Sequence, residues 1–578
     1  GTASTVAGIP FFAADNSIYT HDVSGTDSTA EKNTAFGITA MDAITTGDNN
    51  VAVGYAAMGV NTTGANNVAV GLQALDANTT GSFNVAMGSG ALGANITNSY
   101  SVAIGSSALG SAVADDNIAI GREAGAAITT GTRNIVIGQE AYDGSDTEND
   151  NLAIGYAAMT TNTAGGTANL AIGNYALDAL TSGDYNVGVG MNALSALTTG
   201  GYSTALGYDA LSSMTTSGYN VAVGYEAMKQ GTTGAHNVAV GKAALSANNG
   251  GAQNTALGHR SMETNTSSND NTAVGYMSLH ANTTGAGNVA VGRDALLVNS
   301  TGTENVAVGL NALKAATTAT GNQAFGFKAL ETVATGNDNT AVGAFALQLN
   351  TASNNTAVGY KAMDANTTGA DNVGIGLQAL GSNTTGTRNL AIGSAAYGNS
   401  DTESDNLAIG YNAMTTNTAG GTRNVAVGNY SEDALTSGDK NVAVGYGALG
   451  AVTTGSENVA FGDNALGGIT TTNGNTAFGS NAGFAVAGAS NTAIGQYALQ
   501  AATTTNDNTA VGASALTANT GGASSTAVGS SALAANTTGD YNIAVGSGAL
   551  AANTTGARNM AIGTQAYDAS DTENDNIA

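Results

Sequence analysis

The phrase Asn-Val-Ala-Val-Gly recurs along this chain at an almost constant interval. It begins at Asn50 and again at Asn67; counted from Asn33, the same pattern starts 33 times, the last time at Asn576. Of the 32 intervals, 27 are 17 residues long, three are 16 and two are 18. A fixed period of this length is typical of chains in which one small unit stacks on its neighbours. The sequence therefore predicts a repeat architecture over residues 33–578.

The composition excludes other repetitive classes. The 82 glycines do not fall at every third position and there is a single proline, which excludes a collagen triple helix. A hydrophobic content of 42% with only 10% charged residues is enough to bury a core, which argues against disorder. No stretch approaches the roughly 18 consecutive apolar residues of a membrane helix, so we expect no membrane insertion in this segment.

The net charge of −27 restricts the possible partners. Only 14 basic residues are present, and they are scattered. Nucleic acids are bound through clustered Lys and Arg, so we expect no nucleic-acid partner. Cysteine is absent, which removes disulfides and thiol chemistry.

The repeat itself is typical of short strands. Numbered from its Asn as position 1, position 4 is a large apolar residue and position 5 is Gly in all 32 complete copies. Position 2 is usually Val, Ile or Leu, a second small apolar patch lies near positions 8 and 9, and a turn such as Asn-Thr-Thr-Gly follows. Short β-branched segments bounded by Gly and Asn indicate strands. We predict an all-β fold, a parallel β-solenoid or β-roll of about 32 coils with two short strands per coil. At about 4.8 Å per coil, such a stack is on the order of 150 Å long.

The residue type at position 3 leads to a prediction about packing between chains. It is Ala in 30 of 33 copies, and the exceptions are Val136, Gly188 and Gly374. If positions 2 and 4 fill the coil, position 3 faces outward, and a strand that is apolar on both faces is buried on both. We therefore expect lengthwise packing against further copies of the chain. The alternative is that alanine is abundant in this chain and merely tolerated. The predicted oligomer-interface residues are Ala52, Ala69, Ala222, Ala239, Ala290 and Ala307. The predicted core residues are Val53, Val70, Val223, Val240, Val291 and Val308.

Two known kinds of repeat are similar to this one. The segment Ser-Val-Ala-Ile-Gly at 101–105 resembles the head repeat of trimeric autotransporter adhesins, although that repeat is usually shorter. The 17-residue form at 355–371 resembles the repetitive fibres encoded by tailed bacteriophages and by some environmental bacteria. The resemblance extends over residues 33–578. It implies a left-handed β-roll assembled as a homotrimer along a common axis.

The resemblance also implies a role. We expect a non-enzymatic structural fibre shaft without cofactors, as in a phage tail fibre or a surface adhesin rod that presents an attachment end. The alternatives are a self-assembling extracellular bacterial filament and an adhesin head that binds host matrix. Each implies a location outside the cell, on a cell surface or on a virion. The expected partners are further copies of the chain, possibly end to end, and an unknown surface receptor bound through a region outside this chain.

Acidic turns form a second, longer repeat. Ser-Asp-Thr-Glu-Asn-Asp at 145–150 recurs at 570–575, and Ser-Asp-Thr-Glu-Ser-Asp lies at 400–405. The turns at 145–150 and 400–405 are 255 residues apart, or 15 times 17, which indicates duplication of a block of coils. The carboxylates of Asp143, Asp146, Glu148 and Asp150 are candidate calcium ligands, because calcium binds several oxygens at once. A solvated acidic turn without metal is the favoured interpretation.

Other possible sites fit less well. The four histidines, His21, His236, His259 and His280, lie in different contexts without a matched nucleophile or metal-ligand spacing. Asn-Thr-Thr triplets match the glycosylation pattern, but we expect these asparagines to serve turns and side-chain ladders. Adjacent threonines do not form the alternating row that an ice-binding face requires. Residues 1–32, with the only proline at Pro10, are predicted to cap the solenoid or to join it to a preceding element; a receptor-binding tip is the alternative.

Overall fold

The repeat folds into stacked, parallel, in-register strands. The computed structural model describes residues 3–6, 9–14, 17–19, 29–144, 146–501, 504–569 and 571–578. The chain divides into two compact units, Gly1–Asn288 and Val289–Ala578. No α-helix occurs among these described residues, and none of their segments is a helix able to cross a membrane.

The strands of the first unit are β1 (Ala3–Val6), β2 (Ile9–Ala14), β3 (Ser17–Tyr19), β4 (Thr34–Phe36), β5 (Val51–Val53), β6 (Val68–Val70), β7 (Val85–Met87), β8 (Val102–Ile104), β9 (Ile118–Ile120), β10 (Ile135–Ile137), β11 (Leu152–Ile154), β12 (Leu170–Ile172), β13 (Val187–Val189), β14 (Thr204–Leu206), β15 (Val221–Val223), β16 (Val238–Val240), β17 (Thr255–Leu257) and β18 (Thr272–Val274).

The strands of the second unit are β19 (Val289–Val291), β20 (Val306–Val308), β21 (Gln323–Phe325), β22 (Thr340–Val342), β23 (Thr356–Val358), β24 (Val373–Ile375), β25 (Leu390–Ile392), β26 (Leu407–Ile409), β27 (Val425–Val427), β28 (Val442–Val444), β29 (Val459–Phe461), β30 (Thr476–Phe478), β31 (Thr492–Ile494), β32 (Thr509–Val511), β33 (Thr526–Val528), β34 (Ile543–Val545) and β35 (Met560–Ile562).

From β4 onward, every strand consists of positions 2, 3 and 4 of one repeat. In both units, neighbouring strands pair in parallel with like positions opposite each other, as in Val51↔Val68 and Ala52↔Ala69. The predicted parallel β-solenoid with a 17-residue period is confirmed. Each coil contains one three-residue strand, whereas the sequence predicted two. The remainder of the coil consists of turns, whose backbone also bonds to the adjacent coil, as from the Thr62 N–H to the Thr79 carbonyl at 2.9 Å.

The pairing changes at the start of the repeat. Strands β1, β2 and β3 pair with their neighbours antiparallel, and β3 then pairs in parallel with β4. The change in strand direction therefore falls between β2 and β3, before the first repeat begins at Asn33, and the predicted boundary at residue 33 stays a prediction. Parts of the segment 1–32, including His21, lie outside the described residues. Its role as a cap or a junction stays a prediction.

The predicted inward and outward faces of the strand are wrong. The six alanines assigned to an interface between chains, Ala52, Ala69, Ala222, Ala239, Ala290 and Ala307, are all 0% exposed within a single chain. They lie in the interior of their own coils. The valines assigned to that interior, Val53, Val70, Val223, Val240, Val291 and Val308, are half-buried and point outward.

Side-chain volume explains why alanine occupies the interior. Position 9 of the preceding coil, usually Leu or Met, fills the space beside position 3. A Cβ built on Gly188 lies 3.3 Å from Leu177 Cγ, and one built on Gly374 lies 2.8 Å from Met363 Cγ. A residue larger than alanine overlaps these side chains. The one larger residue, Val136, follows a coil that has Gly125 at position 9.

Two columns of asparagine hold the coils together. At position 1, the Asn67 N–H donates to Asn50 Oδ1 at 2.9 Å, and its Nδ2 donates to the Gly81 carbonyl at 2.8 Å. At position 12, Asn78 Nδ2 donates to Asn61 Oδ1 at 3.0 Å. All four asparagines are 0% exposed. The ladder predicted for the Asn-Thr-Thr asparagines is confirmed at position 12, and these asparagines are inaccessible in the folded chain. The ladder at position 1 was not predicted.

The glycine at position 5 is required by a close approach between backbones. Gly54 has φ of 134°, and a Cβ on it would lie 2.4 Å from the carbonyl oxygen of Gly71 in the next coil. A backbone of this kind is essentially restricted to glycine. The invariance of position 5 therefore follows from backbone conformation and from stacking.

Candidate interaction surface

Because position 3 points inward, positions 2 and 4 form an outward face that is largely apolar, although position 2 is Thr in ten copies and Gln323 in one. We call the two rows of side chains at these positions the strip. Neither position carries a charged residue in any copy of the repeat. In the single chain, for example, Met87 is 42% exposed and Leu257 is 46% exposed. The other exposed large apolar members are Phe36, Ile120, Ile135, Leu206, Val238, Phe325, Val342, Ile375, Ile392, Phe478, Ile494, Val528, Val545, Ile562 and Ile577.

In-register pairing makes the strip continuous within each unit. One row passes through Val221, Val238 and Thr255, and the other through Val223 and Leu257. The fifteen strands β4–β18, at about 4.8 Å apart and with a face roughly 10 Å wide, present on the order of 700 Å². A standard protein interface buries about 800 Å² on each partner. The strip of one unit alone therefore approaches the size of a stable interface.

Aromatic ladders border the strip. At position 17, the rings of Tyr185, Tyr202, Tyr219 and His236 stack with centroid separations of 5.2, 5.1 and 5.0 Å. The three tyrosines are each more than half exposed. Residues one repeat apart occupy the same place on adjacent coils, so like side chains come into contact. The ladders extend the apolar surface to the side of the strip that precedes position 2.

Position 6 borders the other side of the strip. Tyr208 and Tyr225 stack there at 5.3 Å, and His259 stacks on Tyr276 at the same separation. In the second unit, Tyr360 is about half exposed at this position. Aromatic rings therefore border the strip on both sides in the coil that carries Tyr208 and Tyr219.

The candidate calcium ligands are engaged separately. Arg133 forms a two-point ion pair with Asp150, from Nε to Oδ1 at 2.6 Å and from Nη2 to Oδ2 at 2.8 Å. This pair lowers the pKa of Asp150. Asp146 accepts a hydrogen bond from the Thr129 hydroxyl. Partial burial raises the pKa of Asp143.

Glu148, the fourth candidate, is buried and caps a turn. Its Oε2 accepts hydrogen bonds from the backbone N–H groups of Asp146 and Thr147, both at 3.0 Å. Its Oε1 accepts one from the Gly165 N–H in the following coil, also at 3.0 Å. Glu403 makes the equivalent contacts, including one from the Gly420 N–H. Across the described ranges, no three acidic or histidine side chains are grouped to hold a metal ion.

These contacts explain why acidic turns precede 18-residue coils. Gly165 and Gly420 lie in the two longer coils, with φ of 110° and 107°. A Cβ built on either would meet no atom within 4 Å, so the backbone bulges away from the stack. The acidic side chain of the preceding coil satisfies the displaced N–H. The sequence spacing indicated only that a block of coils is duplicated. The structure shows that each acidic turn compensates for the extra residue of the coil that follows it.

The three described histidines have separate surroundings. His236 and His259 belong to aromatic stacks, and His280 Nε2 lies 2.7 Å from Glu263 Oε2. The absence of enzymatic activity stays a prediction.

A polar surface groove of about 600 Å³ in the second unit is lined by small residues, among them Gly381, Ser382 and Gly398.

Comparison with known proteins adds no assignment. No family model matches this chain, and no curated protein matches it. The similarity to adhesin heads and phage fibres therefore stays a prediction that rests on the repeat itself.

Proposed function

We propose that this chain is a non-enzymatic fibre shaft, and that copies of it pack lengthwise through the strip as a homotrimer. The observation that carries the proposal is the uncharged, partly exposed apolar face that every coil contributes. A face of this kind is typical of an interface with another protein. Parallel sheets are usually covered on both faces, and here the chain's own coils cover only the inner one.

A second copy of the chain is the partner that fits best. Every coil contributes one position 2 and one position 4 to the strip, so the spacing of these side chains is the same in every copy of the chain. Two copies aligned side by side can therefore bring strip against strip. The net charge of −27 opposes association, which favours an interface confined to the uncharged face. The number three rests on the resemblance to trimeric adhesin heads.

Substitutions that place charge on the strip test the proposed assembly. The variant Val240→Lys combined with Leu257→Lys places two charges on the strip without altering the interior. Thr63→Lys with Thr80→Lys adds the same charge at exposed position 14 and is the matched control. Sedimentation equilibrium at micromolar concentration gives the mass, and circular dichroism monitors the fold.

We expect three chain masses for the wild type and the control, and a shift to single folded chains for the strip variant. A monomeric wild type contradicts self-association, and an unchanged mass in the strip variant contradicts the assigned face. A mass of two chains contradicts the homotrimer while leaving the strip as the interface.

The biological setting rests on the resemblance alone. We favour a phage tail fibre or a surface adhesin rod, located outside the cell or on a virion and binding its receptor through another region. A self-assembling extracellular filament and a matrix-binding adhesin head are the alternatives. Sequencing the flanks of the gene separates them: virion-attachment and tip regions support the tail fibre, whereas a signal peptide and a membrane anchor support the adhesin.

A further inference from the structure

One coil of the second unit carries an acid in the column that fills the solenoid. Position 9 is Leu, Met, Tyr or Gly in every complete repeat except one, where it is Glu432. Glu432 is 0% exposed. Its backbone remains hydrogen-bonded to the following coil, since its N–H donates to the Ala448 carbonyl at 3.0 Å. The coil therefore retains the ordinary fold around an acidic side chain.

The carboxyl group of Glu432 is unpartnered. Neither of its oxygens has a hydrogen-bond partner within the described part of the chain. The column neighbours at position 9 are Met414 and Leu449, both buried and apolar. Burial raises the pKa of Glu432 well above its ordinary value, and no charged neighbour offsets this effect.

The charged groups near this coil face solvent. Arg423 and Lys440, each the last residue of its coil, are exposed, and the Lys440 ammonium pairs with Glu457 of the next coil at 2.9 Å. Asp433 and Asp439 are half-buried at the surface. None of them forms an ion pair with Glu432.

The preceding coils contain two further buried ionisable groups, the Tyr397 hydroxyl and the carboxylate of Glu403, whose oxygens accept backbone hydrogen bonds from Asp401, Thr402 and Gly420. The Tyr397 hydroxyl is the uncharged one. It accepts hydrogen bonds from Asn406 and Asn417, and burial raises its pKa. The Glu432 side chain thus has no counter-ion on either side of its coil.

The first unit contains a matched coil without the acid. Residues 169–185 and 424–440 share the segment Asp-Ala-Leu-Thr-Ser-Gly-Asp, and Leu177 occupies the place of Glu432, 255 residues earlier. Leu177 is also 0% exposed. The same chain therefore holds an internal control for the effect of the acid.

We propose that Glu432 makes coil 424–440 a point of pH-dependent local opening, because its carboxyl group is accommodated in the interior only while it holds its proton. The bond that changes is the O–H of this carboxyl group, and the proton leaves to solvent when the coil opens. A stacked coil contacts only its two neighbours, so one weak coil is enough to interrupt the array.

The direction of the effect follows from linkage. The folded coil binds the Glu432 proton more tightly than the open coil, in which the side chain has an ordinary pKa of about 4.3. Closure is therefore fully favoured below that pH, and it weakens as pH rises toward the raised pKa of the folded state. Over this range the opening constant increases by up to tenfold per pH unit.

Hydrogen exchange measured by mass spectrometry on the full chain tests this proposal. Exchange of peptides from 424–440 is followed from pH 4.5 to pH 9, corrected for the intrinsic pH dependence of exchange, and compared with peptides from 169–185. We expect protection of 424–440 to fall with rising pH while protection of 169–185 stays constant. Glu432→Leu should remove the pH dependence, and Leu177→Glu should install it at 169–185.

Glu432→Gln separates ionisation from polarity, because the amide is buried and polar but does not titrate in this range. We expect weaker protection of 424–440 than in Glu432→Leu, at a level independent of pH. If the wild type and Glu432→Gln show the same pH profile, or if the wild-type coil responds to pH no more than 169–185, the proposal is overturned. Neither result depends on the assembly of chains through the strip.

Discussion

The carboxylate of Glu148 accepts a hydrogen bond from the backbone N–H of Gly165, which lies in the following coil, at 3.0 Å. The contact joins an acidic turn to the coil that contains an extra residue. Glu403 and Gly420 repeat it at the same distance in the second unit. The extra residue of one coil is thus compensated by an acidic side chain of the coil before it.

We expect Glu148→Gln to destabilise this junction, because a buried charged acceptor for three backbone N–H groups is replaced by a neutral one. The loss should be about 1–3 kcal/mol of unfolding free energy. Urea titration followed by circular dichroism measures it, and Glu403→Gln should reproduce it in the second unit. Glu304→Gln, at an exposed position 17, is the control, expected to change stability by less than about 0.5 kcal/mol. Equal effects of the buried and the exposed change would contradict the capping role.

Gly54→Ala tests the close stacking at position 5. The substituted Cβ would lie 2.4 Å from the Gly71 carbonyl oxygen, at φ of 134°. We expect the conformational strain alone to cost about 1–3 kcal/mol, with further loss from displaced backbone. Gly59→Ala is the matched change, since its Cβ would be 3.4 Å or more from its neighbours. Thermal unfolding of both variants gives the comparison, and a Gly54 variant as stable as the Gly59 variant would refute the assignment.

Ala239→Leu tests the interior placement of position 3. Added methylene groups in a filled core typically cost about 1–3 kcal/mol. On an outward face the same change would leave the stability of a single chain almost unaltered. Val240→Leu, one residue away on the strip, is the control, and we expect it to have little effect on unfolding. Denaturant unfolding at low protein concentration separates this effect from assembly.

Asn67→Ala tests the ladder at position 1. The change removes the acceptor for the Asn84 N–H and the donor to the Gly81 carbonyl. Leaving buried backbone groups unsatisfied should cost about 1–3 kcal/mol. Asn67→Ser should cost less, because Ser203 stands at the same position and its hydroxyl accepts from the Asn220 N–H at 3.4 Å. The order of the melting temperatures, wild type above Ser above Ala, is the expected result.

Much of the fold could be predicted because each coil repeats the same local rule. The period predicted the parallel register, and the asparagines of the Asn-Thr-Thr triplets predicted a side-chain ladder; the second ladder, at position 1, was not predicted. The prediction of two strands per coil was wrong, because the second apolar patch, at positions 8 and 9, lies in turns and not in a strand. In those turns non-glycine residues such as Ala56 and Leu75 adopt positive φ.

The candidate surface was harder to predict than the fold. Alternation shows that positions 2 and 4 share a face, but not which face is inside. Two signals in the sequence bore on this choice: Val136 occurs where the preceding coil has Gly125, and Glu432 interrupts the Leu and Met of position 9. The first signal reflects the volume of the interior and the second its polarity. Neither can be interpreted until positions 3 and 9 are known to be in contact.

The period, the parallel stacking and the ladder of the Asn-Thr-Thr asparagines could be predicted from the sequence alone, because these features depend on spacing and on residue types that suit few backbone conformations. Only the tertiary structure decided that alanine lies inside and that valine, isoleucine and leucine lie outside. The physical reason is the width of a 17-residue coil. Once Leu or Met from position 9 fills its interior, only a methyl group fits at position 3, and the larger apolar side chains remain on the surface.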